Sequence, residues 1–194
     1  MHGDKPLHLC VYAASSSAVD EAYKEAARRL GTLIGERGAT LVYGAGNIGL
    51  MGECALAVHA AGGRVVGVIP DRLVDLELAY READELVVTE TMRDRKRIMA
   101  ERADAFVALP GSLGTLEEML EVLVLRQLGY HRKPCAFLNV NGFFDPLFQM
   151  FARLVEENFL KESALDMFHV CMTPEAVFEH LDNYTPHQPE PKWF

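Results

Sequence analysis

Residues 105–118 read Ala-Phe-Val-Ala-Leu-Pro-Gly-Ser-Leu-Gly-Thr-Leu-Glu-Glu and join a short apolar run to a helical pattern. The apolar run predicts a buried strand, and the apolar spacing after Thr115 predicts a helix. A glycine-rich turn between the two presents free backbone N–H groups at the positive end of a helix dipole, which suits a phosphate. Glu118 would lie on the first turn of that helix. A carboxylate so close to an anion favours chemistry on whatever the phosphate carries.

The composition is that of an acidic globular protein, with 49% hydrophobic residues and a net charge of −9 over 194 residues. This charge argues against general binding to nucleic acid polymers or to membrane surfaces. No apolar run is long enough to span a bilayer, and the N-terminus lacks the apolar core of a signal peptide. The four cysteines are widely spaced, which favours reduced thiols in a cytosolic protein. We therefore expect a cytoplasmic protein.

Strand and helix patterns alternate along the whole chain. The predicted strands are 7–13, 40–43, 64–69, 85–89, 104–109, 135–139 and 169–172, and the predicted helices are 18–37, 50–61, 93–102, 114–128, 146–158 and 174–181. Such alternation indicates an α/β fold: a Rossmann-like, doubly wound, mostly parallel sheet with helices on both faces. We expect a single domain over residues 1–194, with its core at about 7–182 and a proline-rich tail at 183–194.

Four suggestive segments follow predicted strands: Ala14–Ser17, Gly44–Gly52, Pro70 and Pro110–Glu118. In open parallel sheets, ligands bind beyond the carboxyl ends of the strands, near the point where the strand order reverses. The agreement of the four segments therefore predicts a ligand site at that edge.

Residues 44–49 fit the pattern G-x-G-x-x-G between a strand and a helix. A dinucleotide site would also need an acid at the end of the next strand, and Asp71 comes late and after a proline. The loop therefore favours a mononucleotide or sugar phosphate over NAD, and a purely structural tight turn stays open. Ser15, Ser16 and Ser17 offer hydroxyls either to a phosphate or to the N-cap of the first long helix.

Residues 92–99 read Met-Arg-Asp-Arg-Lys-Arg-Ile-Met, the densest basic cluster in an acidic chain. A solvated helix face is the simple interpretation. However, positive charge at the start of a helix opposes the dipole, so the cluster also indicates an anion nearby. The scattered histidines predict no metal site, and the serines lack the G-x-S-x-G context of a triad hydrolase.

Several motifs together resemble the LOG ("lonely guy") family. Residues 110–118 resemble its PGGxGTxxE signature, and residues 92–99 resemble its M-x-x-RK-x-x-M signature. Residues 42–52 resemble the loop VYGGGxxGLMG, and residues 141–147 resemble the segment NGYYDPL. The match is collinear from about residue 8 to residue 182.

The resemblance implies a phosphoribohydrolase that releases the free base and ribose 5-phosphate from cytokinin riboside or adenosine 5′-monophosphates, without metal or other cofactor. It implies that Arg95 and Glu118 are catalytic. Further positions are implied to contact the phosphate or the nucleotide, or to line the site: Ser16, Gly44, Gly46, Gly49, Met92, Lys96, Gly111, Ser112, Gly114 and Thr115.

Three departures from the family pattern stand out. Ser112 and Ala45 replace glycines, and Ala13-Ala14 replaces a Cys-Gly pair. A side chain at position 112 or 45 disfavours positive φ, so we expect the loops to shift slightly if the family backbone needs it there. Ser112 could also add a hydroxyl contact to a phosphate.

Two alternative functions come with the resemblance. Molybdenum-cofactor carriers of similar fold bind a phosphorylated ligand without hydrolysing it, but Arg95 and Glu118 favour an enzyme. The family was also long labelled as lysine decarboxylases, a reaction that normally uses pyridoxal phosphate on a Schiff-base lysine. Neither Lys96 nor Lys133 has a recognisable setting for that chemistry.

The helix predicted at 114–128 is apolar on most sides and should therefore be buried on most sides. The sheet covers only one side, and the resemblance implies a dimer, because the LOG-family members with this short signature are dimers whose sites are completed across the interface. We therefore expect a homodimer with its sites near the interface, where Arg126 could reach a ligand or a partner acid. The alternative is a monomer in which the chain's own helices around Phe148 and Val155 cover that side.

Overall fold

The computed structural model of the chain describes residues 5–74 and 79–186. The strands are β1 His8–Tyr12, β2 Thr40–Tyr43, β3 Arg64–Pro70, β4 Glu85–Thr89, β5 Ala105–Ala108, β6 Cys135–Leu138 and β7 His169–Cys171. The helices are α1 Glu21–Glu36, α2 Gly49–Ala60, α3 Met92–Arg102, α4 Leu113–Gln127, α5 Asp145–Glu156 and α6 Pro174–Asn183. Short 3₁₀ segments lie at Asp71–Leu73, Val140–Gly142 and Glu162–Met167.

All seven strands form one parallel sheet in the order β4-β3-β2-β1-β5-β6-β7. The strand order reverses beside β1, which pairs with β2 on one side and β5 on the other; Cys10 lies opposite Val42 and Phe106. The loops after β1 and β5 therefore meet at the carboxyl edge of the sheet, where ligands bind in such folds. This confirms the predicted fold class.

Alternation along the strands divides the core between the two faces of the sheet. Leu9 and Val11 of β1 pack on one face with α1, α2 and α6, whereas Cys10 and Tyr12 pack on the other with α3 and α4. Each face is apolar because helices cover both, as the near-continuous apolar strands require. The second face thus brings α3 and α4, the helices that carry the basic cluster and Glu118, over the centre of the sheet.

Element boundaries differ from the predictions in informative places. Strand β3 extends one residue beyond the predicted end, to Pro70, which lies opposite Thr89 of β4. A proline lacks only the N–H donor, so it can still end a strand. Helix α1 begins at Glu21, where the Asp20 carboxylate accepts a hydrogen bond from Ala22 N at 2.9 Å. Asp20 is therefore the N-cap, and the interpretation of Ser15–Ser17 as the cap was wrong.

The tail was predicted over 183–194, and its last part, residues 187–194, lies outside the described residues. Within the part of the chain that the structure describes, no helix combines the length and apolarity needed to cross a membrane.

Candidate functional site

Three loops at the carboxyl edge of the sheet are joined through the backbone of Ala14. Its N–H donates to Pro110 O at 3.3 Å, and its carbonyl accepts from Met51 N at 3.2 Å. Gly49 completes the junction: its φ is +63°, and a Cβ there would overlap the backbone of Ser15. The glycine is therefore required both for its backbone conformation and for close approach. The segments after β1, β2 and β5 therefore meet at the carboxyl edge of the sheet.

Arg95 and Glu118 form a buried ion pair beneath this junction. Arg95 Nη1 lies 3.3 Å from Glu118 Oε1, and the side chains are only 9% and 11% exposed. The guanidinium also donates through Nε to Val68 O at 3.1 Å and contacts Met92 Sδ through Nη1 at 3.1 Å. Several contacts fix the plane of the guanidinium, so it presents a defined edge to the carboxylate.

Gly44, directly after β2, makes room for this guanidinium. A Cβ at position 44 would overlap Arg95 Nη2 and would lie 3.1 Å from Cζ. The glycine loop therefore contributes a flat backbone surface against which Arg95 lies. Gly46 makes room for a different side chain, because a Cβ there would come within 2.6 Å of Met51 Cε.

The turn before α4 has the form that an anion site at a helix N-terminus requires. Ser112 is the N-cap with φ −94°, an ordinary extended conformation, and its side chain makes no cap hydrogen bond. In this chain the backbone at 112 therefore needs no positive φ, and serine is accommodated there without strain. A Cβ on Gly111 would overlap the buried Thr115 side chain, whereas Gly114 faces open space. The N-terminal N–H groups of α4 thus face an open surface.

Ala45 is the departure that does affect the backbone. It adopts φ +64° while fully buried, a conformation that costs an alanine about 1–2 kcal/mol relative to its ordinary regions. The strain of the left-handed conformation is therefore borne by this residue. Its carbonyl accepts a hydrogen bond from Tyr80 N at 2.8 Å.

The remaining predicted positions lie at different distances from the ion pair. Met92 contacts Arg95 directly. Lys96 instead bonds to Glu117 and lies 3.0 Å from Glu121 Oε2, both on α4. Burial alone would lower the pKa of Lys96, but these two carboxylates outweigh that effect and raise it. Ser16 is exposed on the loop after β1 and accepts from Ala18 N at 3.3 Å.

Arg126 lies away from the site, against expectation. It is 1% exposed, and its Nη1 donates to Met167 O at 2.7 Å and to Lys133 O at 3.2 Å. The side chain turns inward to neighbouring carbonyls of its own chain. The idea that Arg126 reaches outward to a ligand or a partner was therefore wrong.

Two contributors to the site were missed by sequence reasoning. The Val68 carbonyl holds Arg95, and the Ala14 backbone joins three loops. Both act through backbone atoms, so their side chains carry no signal. The only hint was positional, since both residues stand at or near the ends of predicted strands.

A family model described as possible lysine decarboxylase matches residues 51–181. The cytokinin riboside 5′-monophosphate phosphoribohydrolase LOG of Oryza sativa subsp. japonica is 43% identical over 178 residues, covering 92% of this chain and 74% of the rice protein. Its counterpart LOG3 of Arabidopsis thaliana is 40% identical over 186 residues, covering 96% of this chain and 86% of that protein. The chain belongs to the LOG family.

Solved structures extend the likeness of this LOG-family chain to more distant proteins. The molybdenum cofactor binding protein of the phototrophic bacterium Rippkaea orientalis superimposes with a TM-score of 0.71 at 23% identity, covering 92% of this chain and 97% of that one. At such identity the comparison establishes a shared fold and nothing about the ligand. The predicted similarity of fold to molybdenum-cofactor carriers is confirmed.

Proposed function

We propose that this chain hydrolyses the N-glycosidic bond of adenosine 5′-monophosphates, with or without an N6 substituent, to the free base and ribose 5-phosphate. The observation that carries the proposal is the buried Arg95–Glu118 pair, with Glu118 on the second turn of the helix whose glycine-rich N-terminus is open. The membership in the LOG family supports it, because the plant relatives carry the name of this reaction.

The phosphate binds at the turn over Gly111–Thr115, where the first N–H groups of α4 and the helix dipole favour an anion. Gly114 leaves the outer surface of this turn open. Ser112 adds a hydroxyl at the N-cap that makes no cap hydrogen bond of its own. Binding energy from this remote group positions the ribose over Glu118, so that it is used for orientation rather than for affinity alone.

The reaction breaks the bond between C1′ and the base nitrogen through an oxocarbenium-like state, and a water oxygen then bonds to C1′. Glu118 as a carboxylate stabilises the positive sugar and takes a proton from the attacking water. This proton ends on the departing base. Arg95 favours the ionised form of Glu118 by its charge and holds its orientation through the 3.3 Å contact. Arg95 itself stays in place because Nε donates to Val68 O and because Nη1, the nitrogen that faces Glu118, also contacts Met92 Sδ.

The direct test is incubation with AMP and with isopentenyladenosine monophosphate, following free base and ribose 5-phosphate by liquid chromatography. We expect base release from the monophosphates and much less from the corresponding nucleosides. Equal rates on nucleoside and nucleotide would contradict the role of the phosphate turn. Tight nucleotide binding without any base release would favour the carrier function instead.

We further propose that the active form is a homodimer associated through α4. Three apolar residues at helical spacing along α4 and its C-cap, Leu120, Val124 and Leu128, stay 36%, 48% and 48% exposed in the single chain. The other face of α4 is already occupied, since Met119 and Val122 are buried against the sheet. Phe148 packs against Phe137 and Phe144 and leaves the exposed row of α4 uncovered. A row of this kind is typical of an interface.

Light scattering tests the dimer. We expect a mass of about twice 21.6 kDa at micromolar concentration, and dissociation on Val124→Glu. Met150→Glu, at an equally exposed apolar residue of α5, serves as the matched control and should keep the parent mass. A fully active parent at 21.6 kDa would rule the dimer out.

We propose a cytoplasmic location, because all four cysteines are buried free thiols. Burial raises the pKa of both Cys54 and Cys135 to about 12, which keeps them protonated and unreactive at neutral pH. Subcellular fractionation with an antibody against the chain would test the location, and enrichment in a secreted or membrane fraction would contradict it.

A further inference from the structure

A chain of three polar side chains, Asp84–His59–Tyr80, lies outside the site described above. The Tyr80 hydroxyl lies 2.6 Å from His59 Nδ1, and His59 Nε2 lies 2.9 Å from Asp84 Oδ2. Asp84 Oδ2 also accepts from Val65 N at 2.8 Å. The chain therefore connects the segment before β4 to the last turn of α2 and to the start of β3.

The direction of these hydrogen bonds follows from the chemistry of the groups. The hydrogen bond from Val65 N and the contact with His59 lower the pKa of Asp84, so its carboxylate only accepts. In the neutral imidazole of His59, Nε2–H donates to Asp84 and the Nδ1 lone pair accepts from the Tyr80 hydroxyl. Every member is satisfied in one arrangement, which orients the Tyr80 side chain.

The backbone of Tyr80 leads directly to the glycine loop. Its N–H donates to Ala45 O at 2.8 Å, and the neighbouring Ala79 forms an antiparallel bridge with Gly46. Tyr80 is 5% exposed, so the phenol ring is packed as well as hydrogen-bonded. The side-chain network and the loop are thus joined through one residue.

Ala45 needs an external restraint. Residues held at positive φ without glycine persist only where the surrounding structure fixes them. Ala45 at φ +64° is such a residue, and Tyr80 supplies the hydrogen bond to its carbonyl. Gly44, the residue before it, provides the surface against which the Arg95 guanidinium lies. A relaxation of Ala45 would therefore move the backbone under Arg95.

We propose that Tyr80, His59 and Asp84 are positioning residues that hold the Gly44–Gly49 loop in its nucleotide-binding conformation. This inference rests on the proposed function in so far as the loop contacts the substrate. None of the three side chains touches the reacting atoms in this account. Their effect is on the fraction of molecules whose loop is competent to bind.

The kinetic consequence is specific. If only a fraction of the chains holds the competent loop, the apparent affinity falls by that fraction, whereas saturating substrate restores the full rate. Loss of the Tyr80 hydroxyl should therefore raise KM and leave kcat nearly unchanged. One net hydrogen bond corresponds to a change in KM of about threefold to tenfold. Loss of a residue with a merely structural role would lower the free energy of unfolding without raising KM at an unchanged kcat.

The test compares Tyr80→Phe in two backgrounds, the parent and Ala45→Gly. Glycine adopts the left-handed conformation without steric cost and should need the tether less. We expect Tyr80→Phe to raise KM about threefold or more in the parent, and less than about twofold in the Ala45→Gly background. Tyr184→Phe is the matched control, since it also removes a tyrosine hydroxyl bonded at 2.8 Å, to Arg132 O, and should leave KM unchanged.

A second pair of variants distinguishes the hydrogen bond from simple packing. His59→Asn keeps an acceptor near the Nδ1 position, whereas His59→Leu removes it. We expect the asparagine variant to stay closer to the parent KM than the leucine variant. Equal KM values for the two, or an equal effect of Tyr80→Phe in both backgrounds, would overturn the inference.

Hydrogen exchange at the amide of residue 80 provides a readout that needs no catalysis. The Tyr80→Phe and His59→Leu variants should exchange this amide about threefold to tenfold faster than the parent, because its bond to Ala45 O opens more often. Unchanged exchange would refute the tether whatever the enzyme does. If the parent hydrolyses no nucleotide, the proposed function fails, while exchange still decides the tether.

Discussion

Gly44 lies so close to the guanidinium of Arg95 that a methyl group on its Cα would overlap Nη2. The first glycine of the G-x-G-x-x-G pattern is therefore explained by a side chain of α3 rather than by a phosphate alone. The same guanidinium contacts Glu118 on α4 at 3.3 Å. One backbone position thus controls the relative placement of the two residues proposed to be catalytic.

Gly44→Ala should displace Arg95 and reduce turnover by about tenfold or more, because small misplacements of positioned groups cost that much. The measurement is kcat on AMP together with circular dichroism to confirm folding. Gly38→Ala provides the control: it strains a residue at φ +63° in the turn after α1, away from the site, and should lower stability but not kcat. A Gly44→Ala enzyme with parent kcat would show that Arg95 needs no such surface.

Arg95→Lys should also lose at least about tenfold in kcat. The guanidinium contacts Val68 O through Nε and contacts Met92 Sδ and Glu118 through Nη1, and an ammonium on a flexible stem lacks the planar geometry that joins these contacts. Steady-state kinetics on AMP would measure the loss. Full activity with lysine would reduce Arg95 to a simple positive charge.

The fold was predictable because its signal lies in side-chain patterns. Apolar runs such as 105–109, alternating with helical spacing, fix a parallel sheet, and the turn at 110–115 marks its carboxyl edge. Arg95 and Glu118 were identified through motifs, but their contact depends on how α3 and α4 lie over the sheet. No local pattern encodes that arrangement.

Other details were unpredictable for a related reason. The serines after β1 suit a helix cap by composition, yet the helix begins later, at Glu21, because the Asp20 carboxylate accepts from Ala22 N and caps it. Arg126 looked available on an apolar helix, but it turns inward to the carbonyls of Met167 and Lys133. Both outcomes depend on tertiary partners far along the chain or on competition between neighbouring caps.

A double-mutant cycle tests the strain at Ala45. A Cβ on Gly67 of β3 would lie 2.7 Å from the Ala45 Cβ, so Gly67→Ala alone should destabilise the protein by about 1–3 kcal/mol. Ala45→Gly removes that methyl and relieves the left-handed strain, but loses about 0.8 kcal/mol of apolar burial. Gly67→Ala should therefore cost clearly less in the Ala45→Gly background. Urea unfolding measures all four proteins, and strictly additive changes would disprove the contact.

Acid should destabilise the protein partly through His180. Burial first, then the neighbouring His169 and Arg126, lower the pKa of His180 to about 4. Between the ordinary value near 6.5 and about 4, the unfolded chain binds a proton that the folded chain does not. The stability present above pH 6.5 is therefore lost as the pH falls through this window.

The expected contribution of His180 is about 1–2 kcal/mol after allowance for solvent screening. His180→Phe keeps a ring to stack on His169, whose ring centroid lies 4.4 Å away, and removes the titration. Its free energy of unfolding should fall less than that of the parent between pH 7 and pH 4. Parallel pH profiles for the two proteins would show that His180 titrates normally.

The central claim is that Glu118 performs hydrolysis on a nucleotide whose phosphate is held at the turn before α4. The most direct measurement is release of adenine from AMP and from adenosine, by the parent and by Glu118→Gln, with AMP affinity measured in parallel by calorimetry. We expect release from AMP far above that from adenosine, a loss of about 10²-fold or more in Glu118→Gln, and AMP affinity largely retained. Parent-level release by Glu118→Gln would contradict it.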